Sequence, residues 1–130
     1  MANSRDEAVR VELPLPPREV SPNARGHWAK KNRAVRKYRE TACVLAMRAL
    51  WGYSPEWHRA TMQATFYWPD KRRRDRDNAE ASLKPARDGL VDAGVLSDDD
   101  ELVTLPTRFE VDRENPRVEL EIRQRPDLDG

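Results

Sequence analysis

Apolar and polar residues alternate in some stretches of the chain and recur at helical spacing in others, and these two periods set out the order of elements. Val9, Val11 and Leu13 alternate with Arg10 and Glu12, which predicts a short strand halted by Pro14, Pro16 and Pro17. Ser21 to His27 is turn chemistry. From Trp28 to about Leu50, the positions Ala34, Tyr38, Thr41/Ala42, Leu45 and Ala49 follow helical spacing, ending near Gly52. The result is one long helix with a basic first half and an apolar second half. Trp51 to Arg59 reads as a connection. Met62, Ala64, Phe66 and Trp68 then alternate with Thr61, Gln63, Thr65 and Tyr67, a half-buried strand that stops at Pro69. Asn78 is placed to cap a helix from Ala79 to Ala93, with Gly94 as its stop and Pro85 kinking it or delaying its start. An acidic turn, Ser97 to Glu101, leads to a strand from Leu102 to Val111 broken by Pro106. After a turn at Glu114-Asn115-Pro116, Val118, Leu120 and Ile122 form the last strand. The order β-α-β-α-β-β predicts a single α+β domain over residues 9–124, with one mixed β-sheet and two main helices mainly on one face. Residues 1–8 and 125–130 are expected to be flexible ends.

Length and composition narrow this picture. The 130 residues suit one domain. With 36% charged and 38% hydrophobic residues the core is modest, so dimer contacts are an expected supplement. The net charge of +1 points to no partner, but it hides segregation. Between Arg25 and Arg48 the only acid is Glu40, against eight cations that include Lys30, Lys31, Arg33, Arg36 and Lys37. A polyanion meets such a local surface, not the net charge. The lone Cys43 excludes an internal disulfide framework and a four-cysteine zinc site, and fits a reducing cytoplasm. No basic-then-apolar leader opens the chain and no run approaches the roughly 20 apolar residues of a membrane span, so neither secretion nor a membrane partner is expected.

The densest chemistry is Lys71-Arg72-Arg73-Arg74-Asp75-Arg76-Asp77-Asn78. If that segment is extended, Asp75 and Asp77 point the same way and can converge on one Mg²⁺, which prefers hard oxygen ligands. The cations beside them would draw in phosphate. An isolated Asp-x-Asp among arginines is as often a solvated ion pair, about even odds. The second acidic cluster, Asp98-Asp99-Asp100, reaches the first only if the intervening loop folds over, and is otherwise a hydrated turn. Lys84, the only lysine after Lys71, lies a couple of turns from the carboxylates, where its ammonium can offset charge on a leaving oxygen. His27 and His58 are isolated and read as structural or surface residues. Trp51, Trp57 and Trp68 suit base stacking or, more often, packing. Gly-rich phosphate loops, zinc spacings and nucleophile elbows do not occur.

Taken together, Arg72 to Asn78, Leu83-Lys84-Pro85, Asp88 to Val95 and Asp98-Asp99 resemble the RusA-like Holliday junction resolvases, small endonucleases of bacteria and their phages. Leu13 to Pro17, Pro22-Asn23 and the basic helix agree with the same family. The resemblance covers most of the chain and implies a Mg²⁺-dependent homodimer that nicks opposed strands of a four-way DNA junction in recombination and repair. Mn²⁺ is a possible substitute metal, and the setting is the cytoplasm of the host cell. By position it implies Asp75, Asp77 and Asp99 as metal-holding catalytic aspartates, with Asp98 competing for the third place, and Lys84 as the catalytic lysine. DNA contacts are expected from Lys30, Lys31, Arg33, Arg36, Lys37, Arg72, Arg73, Arg74 and Arg76. The rival reading is a non-catalytic branched-DNA-binding accessory protein with the same fold.

Overall fold

A computed structural model describes residues 8–22 and 24–125, leaving the Asp99 side chain outside the described set. The chain forms β1 (Ala8–Leu13), a short 3-10 turn (Arg18–Val20), α1 (Trp28–Leu50), β2 (Trp57–Trp68), α2 (Arg76–Ala81), α3 (Lys84–Asp92), β3 (Leu96–Thr104), β4 (Arg108–Val111) and β5 (Arg117–Gln124). The sheet order is β1-β5-β2-β3, with β4 pairing β2 beyond β3. β5 runs antiparallel to both β1 and β2, whereas β3 and β4 run parallel to β2. The sheet is therefore mixed and the domain single and α+β, as the periodicity predicted.

Alternation explains which face is covered. Val9, Val11 and Leu13 of β1, Ala60, Met62, Ala64 and Phe66 of β2, and Val118, Leu120 and Ile122 of β5 are all buried on one side. Tyr38, Ala42, Ala46 and Leu50 of α1 and Ala86, Gly89 and Leu90 of α3 complete that core. Fully burying a large apolar side chain is worth about 1.5–3 kcal/mol, so the side chains from Phe66 to Ile122 outweigh any surface ion pair here. The two helices meet at Gly89, where an added Cβ would lie 2.5 Å from the Arg39 carbonyl oxygen and 2.8 Å from the Ala42 Cβ. Glycine is required for that approach. Beside it Arg39 donates to both Asp92 oxygens, at 2.6 and 2.9 Å, which holds the Asp92 carboxyl below its usual range.

Four expectations change. The predicted Ala79–Ala93 helix is two helices, and it starts earlier, because Asp75 and not Asn78 is the cap. Pro85 lies in the first turn of α3 and cannot donate the hydrogen bond a continuous helix would need. The strand β2 begins at Trp57, whose indole is 5% exposed, so the expected Trp51–Arg59 connection is shorter. The strand expected over Leu102–Val111 is divided around Pro106 as expected, but its first part begins earlier, at Leu96. Finally, the acidic stretch is no hydrated turn: it lies in β3, where Ser97 to Asp100 stand opposite the single residue His58 as a bulge. No helix among the described residues is long and apolar enough to cross a membrane.

Candidate nucleic-acid and metal site

Past the end of β2 the chain turns through Pro69 to Arg74, and that turn is tied down locally. The Asp70 carboxylate accepts from the Arg72 amide at 2.9 Å and from the Arg74 guanidinium at 2.8 Å. Those bonds hold the Asp70 carboxyl below its usual range. Arg74 also donates to the Asp70 and Arg72 carbonyls and lies 4.9 Å from the Trp68 ring centre. Its side chain is only 19% exposed, so Arg74 shapes the loop as much as it offers charge outward. Arg76 covers the Phe109 ring at 4.8 Å, and Phe109 stacks on Trp68. Trp68 and Trp57 thus pack, and neither is a stacking platform. Lys71, Arg72 and Arg73 are exposed.

Asp75 and Asp77 do not lie on one extended segment. Asp75 is the N-cap of α2, its carboxylate accepting from the Asn78 amide at 3.0 Å, and Asp77 lies in the first helical turn. Positions two apart on a helix do not face each other, so the strand argument for their convergence fails here. Both carboxylates are exposed. The Asn78 side-chain oxygen, by contrast, is buried and has no hydrogen-bond partner, a costly state for a polar atom.

Asp75 and Asn78 line a cleft of about 510 Å³ between this loop and the Leu15–Pro17 segment, together with Arg18, Ser21, Arg72 and Arg74. The far wall is fixed by Tyr38, buried in α1, whose hydroxyl donates to the Pro14 carbonyl at 2.7 Å. Burial raises the Tyr38 hydroxyl well above its usual pKa. The cleft is the product of a strand end, a proline-rich turn and a helix start brought together by the core beneath.

The other predicted residues fall elsewhere. Lys84 opens α3, its side chain 79% exposed and 3.5 Å from Asp88. Asp98 is exposed on the β3 bulge, and Asp100 is bound to Arg87 of α3 at 2.8 Å with its side chain 4% exposed. Register places that bulge beside the first residues of β2, whereas Asp75 and Asp77 follow its last. No three His, Cys, Asp or Glu side chains gather to hold a metal ion among the described residues, and the Asp99 side chain is not one of these. On α1, Lys30 pairs with Glu19 at 3.4 Å and Lys31 donates to the Pro22 carbonyl at 3.2 Å. Arg33, Arg36 and Lys37 are exposed on the same helix. Arg18 carries no signal in the sequence, and Arg25 counted only as part of the basic run; the approach of the turn before α1 to the start of α2 brings both to the cleft walls.

No protein-family model matches the chain. Over 90 residues, 68% of the chain, it is 43% identical to an uncharacterized protein of Xylella fastidiosa, of which the match covers 59%. The chain is thus similar to a substantial part of a longer bacterial protein, a likeness that brings no activity with it.

Proposed function

We propose that the chain is a Mg²⁺-dependent, structure-specific endodeoxyribonuclease of the RusA-like kind, which resolves four-way or other branched DNA by paired nicks as a homodimer. The observation that carries this reading is the cleft itself, where the Asp75 carboxylate and the orphaned Asn78 oxygen share walls with Arg18, Arg72 and Arg74. Acids alone would repel a phosphodiester, and arginines alone would only bind it. Their juxtaposition suits binding and attack at one place.

The donor type suits the metal, although Asp75 and Asp77 do not face each other. Asp75, Asp77 and the Asn78 oxygen are hard oxygen donors at the start of α2, the type Mg²⁺ takes, with waters completing its shell. When bound, the ion would polarise a phosphate oxygen and lower the pKa of a water. This chain's own residues do the remainder. Arg72 and Arg73 attract the phosphodiester, and Arg74 holds the loop at its working angle through Asp70. Lys84 is held only by a long, exposed i,i+4 pair, an attachment worth little, so its ammonium can leave Asp88 for a substrate phosphate. The β3 bulge lies beside the first residues of β2, away from Asp75, and its Asp100 is already bound to Arg87. A third carboxylate from that bulge would have to be supplied by a rearrangement or by the partner of a dimer.

A junction offers two equivalent strands, which a two-fold dimer matches. Exposed apolar side chains at the end of α1, Val44 and Met47 on the helix and Trp51 at its C-cap, support self-association. The direct test is incubation of a synthetic four-way junction with the protein with and without Mg²⁺. Paired nicks that need the metal are expected. Binding with no cleavage at any divalent-ion concentration would favour the accessory-protein reading.

A further inference from the structure

The cleft beside Asp75 continues past the residues so far assigned. Arg18 lines it and also lines two neighbouring hollows, one shared with Ser21, Arg25 and Asn78, the other with Arg25, His27, Lys30 and Lys31. Sharing Arg18, the three hollows adjoin as a trench from the start of α2 to the start of α1, where Trp28 follows the lining residue His27. Its walls carry six cations, Arg18, Arg25, Lys30, Lys31, Arg72 and Arg74, against the two acids Glu19 and Asp75. At the α1 end the His27 ring stacks on Trp28 with centroids 5.8 Å apart and planes 21° apart. Trp28 is nonetheless 70% exposed, with one large aromatic face unused by the fold. A cationic track ending on an exposed aromatic is what single-stranded nucleic acid uses: cations follow the backbone and the ring takes a base. Duplex DNA, with its bases stacked inside, would leave Trp28 idle.

We propose that this trench holds an unpaired single-stranded DNA segment, with Arg18 and Arg25 on successive phosphates and Trp28 stacking on a base at the far end. The inference rests on the nuclease reading for its placement at Asp75, and it makes the enzyme's preferred substrate a branch point with unpaired nucleotides beside the cut. Trp28 and both arginines are exposed, so their substitution leaves the core untouched.

Binding is measured without Mg²⁺, using a labelled 12-mer of deoxythymidine and a blunt duplex of equal length. Wild type is expected to prefer the single strand and to show quenching of tryptophan emission on binding. Trp28→Ala should lose the quenching and about tenfold in single-strand affinity, while Trp28→Phe keeps most of that affinity. Arg18→Ala with Arg25→Ala should reduce the slope of log affinity against log salt by roughly 1.4, two phosphates' worth. Variants that bind the 12-mer as wild type does would overturn the proposal. The same proteins are then tested for junction cleavage in Mg²⁺. If wild type cuts nothing yet the binding losses appear, the nuclease reading fails and the trench stands. If wild type cuts and the variants bind and cut normally, the trench fails and the nuclease reading stands.

Discussion

Asp75 caps α2, and the proposed nuclease reading gives it a second, metal-holding role that can be separated from the first chemically. Asparagine caps helices as well as aspartate does but carries no charge, so Asp75→Asn should keep the thermal midpoint while abolishing Mg²⁺-dependent cleavage. Asp75→Ala should in addition lose about 1 kcal/mol in urea unfolding, because the Asn78 amide loses its acceptor. Asn-level stability with wild-type cutting would remove Asp75 from the chemistry. Asp70 makes a pH prediction. Its carboxyl is depressed by the Arg72 amide and then by Arg74, so its contribution is present above the unfolded pKa of about 3.9 and is lost as pH falls through the lower folded value. Acid unfolding of Asp70→Asn, followed by circular dichroism, should therefore show a shallower loss of stability below pH 4 than wild type. Among single residues the sequence singled out Asp75, Asp77 and Lys84 as candidates, and the fold places Asp75 on the cleft without bringing Asp77 to face it. The sequence could not reveal that Asp75 caps α2, since Asp75 and Asn78 are both good caps and only the folded loop chooses between them.

At the scale of elements, periodicity worked where tertiary forces reinforce it. α1 spans Trp28–Leu50 as predicted, because its apolar positions meet β1 and α3 and its end is marked by Trp51 and Gly52, both at positive φ. It failed where the pattern is set by distant partners. The run Ser97 to Asp100 has no apolar period; it is a bulge held between Leu96 and Glu101, which pair with β2, and Asp100 is tied to Arg87. The Arg18 turn is likewise silent in sequence, since its value lies in what it faces. Gly89 shows the same limit: glycine within a helix is unfavourable locally, and only the contact with α1 explains it. Gly89→Ala should force α1 and α3 apart and cost about 1–3 kcal/mol in denaturant unfolding, although alanine is the better helix former. A stabilised variant would show that the helices do not touch there. For Lys84→Ala, stability should be unchanged and cleavage greatly reduced at saturating Mg²⁺; an unchanged single-turnover rate would return Lys84 to the solvent.

For the whole molecule, one sheet carries a core on one face while its loops and helix starts build a charged cleft at an edge. Fold class, strand alternation and the single-domain architecture followed from the chain's two periods. That Arg72 to Arg74 stand beside Asp75 is plain in the sequence; that Pro16 to Arg18 form the opposite wall is not, because that wall lies far from Arg72 to Asn78 in sequence. The exposed apolar side chains Val44, Met47 and Trp51 add a prediction at this scale. Wild type should sediment as a dimer, and Met47→Glu should sediment as a monomer of unchanged fold; dimers of that variant would place self-association elsewhere. The central claim is that this cleft cuts branched DNA through a bound divalent ion. It is tested most directly by mapping the cut positions on all four strands of a synthetic junction, with Mg²⁺ and with chelator, for wild type and Asp75→Asn. Symmetric nicks on two opposed strands are expected from wild type in Mg²⁺ only, and none from Asp75→Asn. Equal cutting by the two proteins, or no cutting by wild type at any Mg²⁺ concentration, would contradict it.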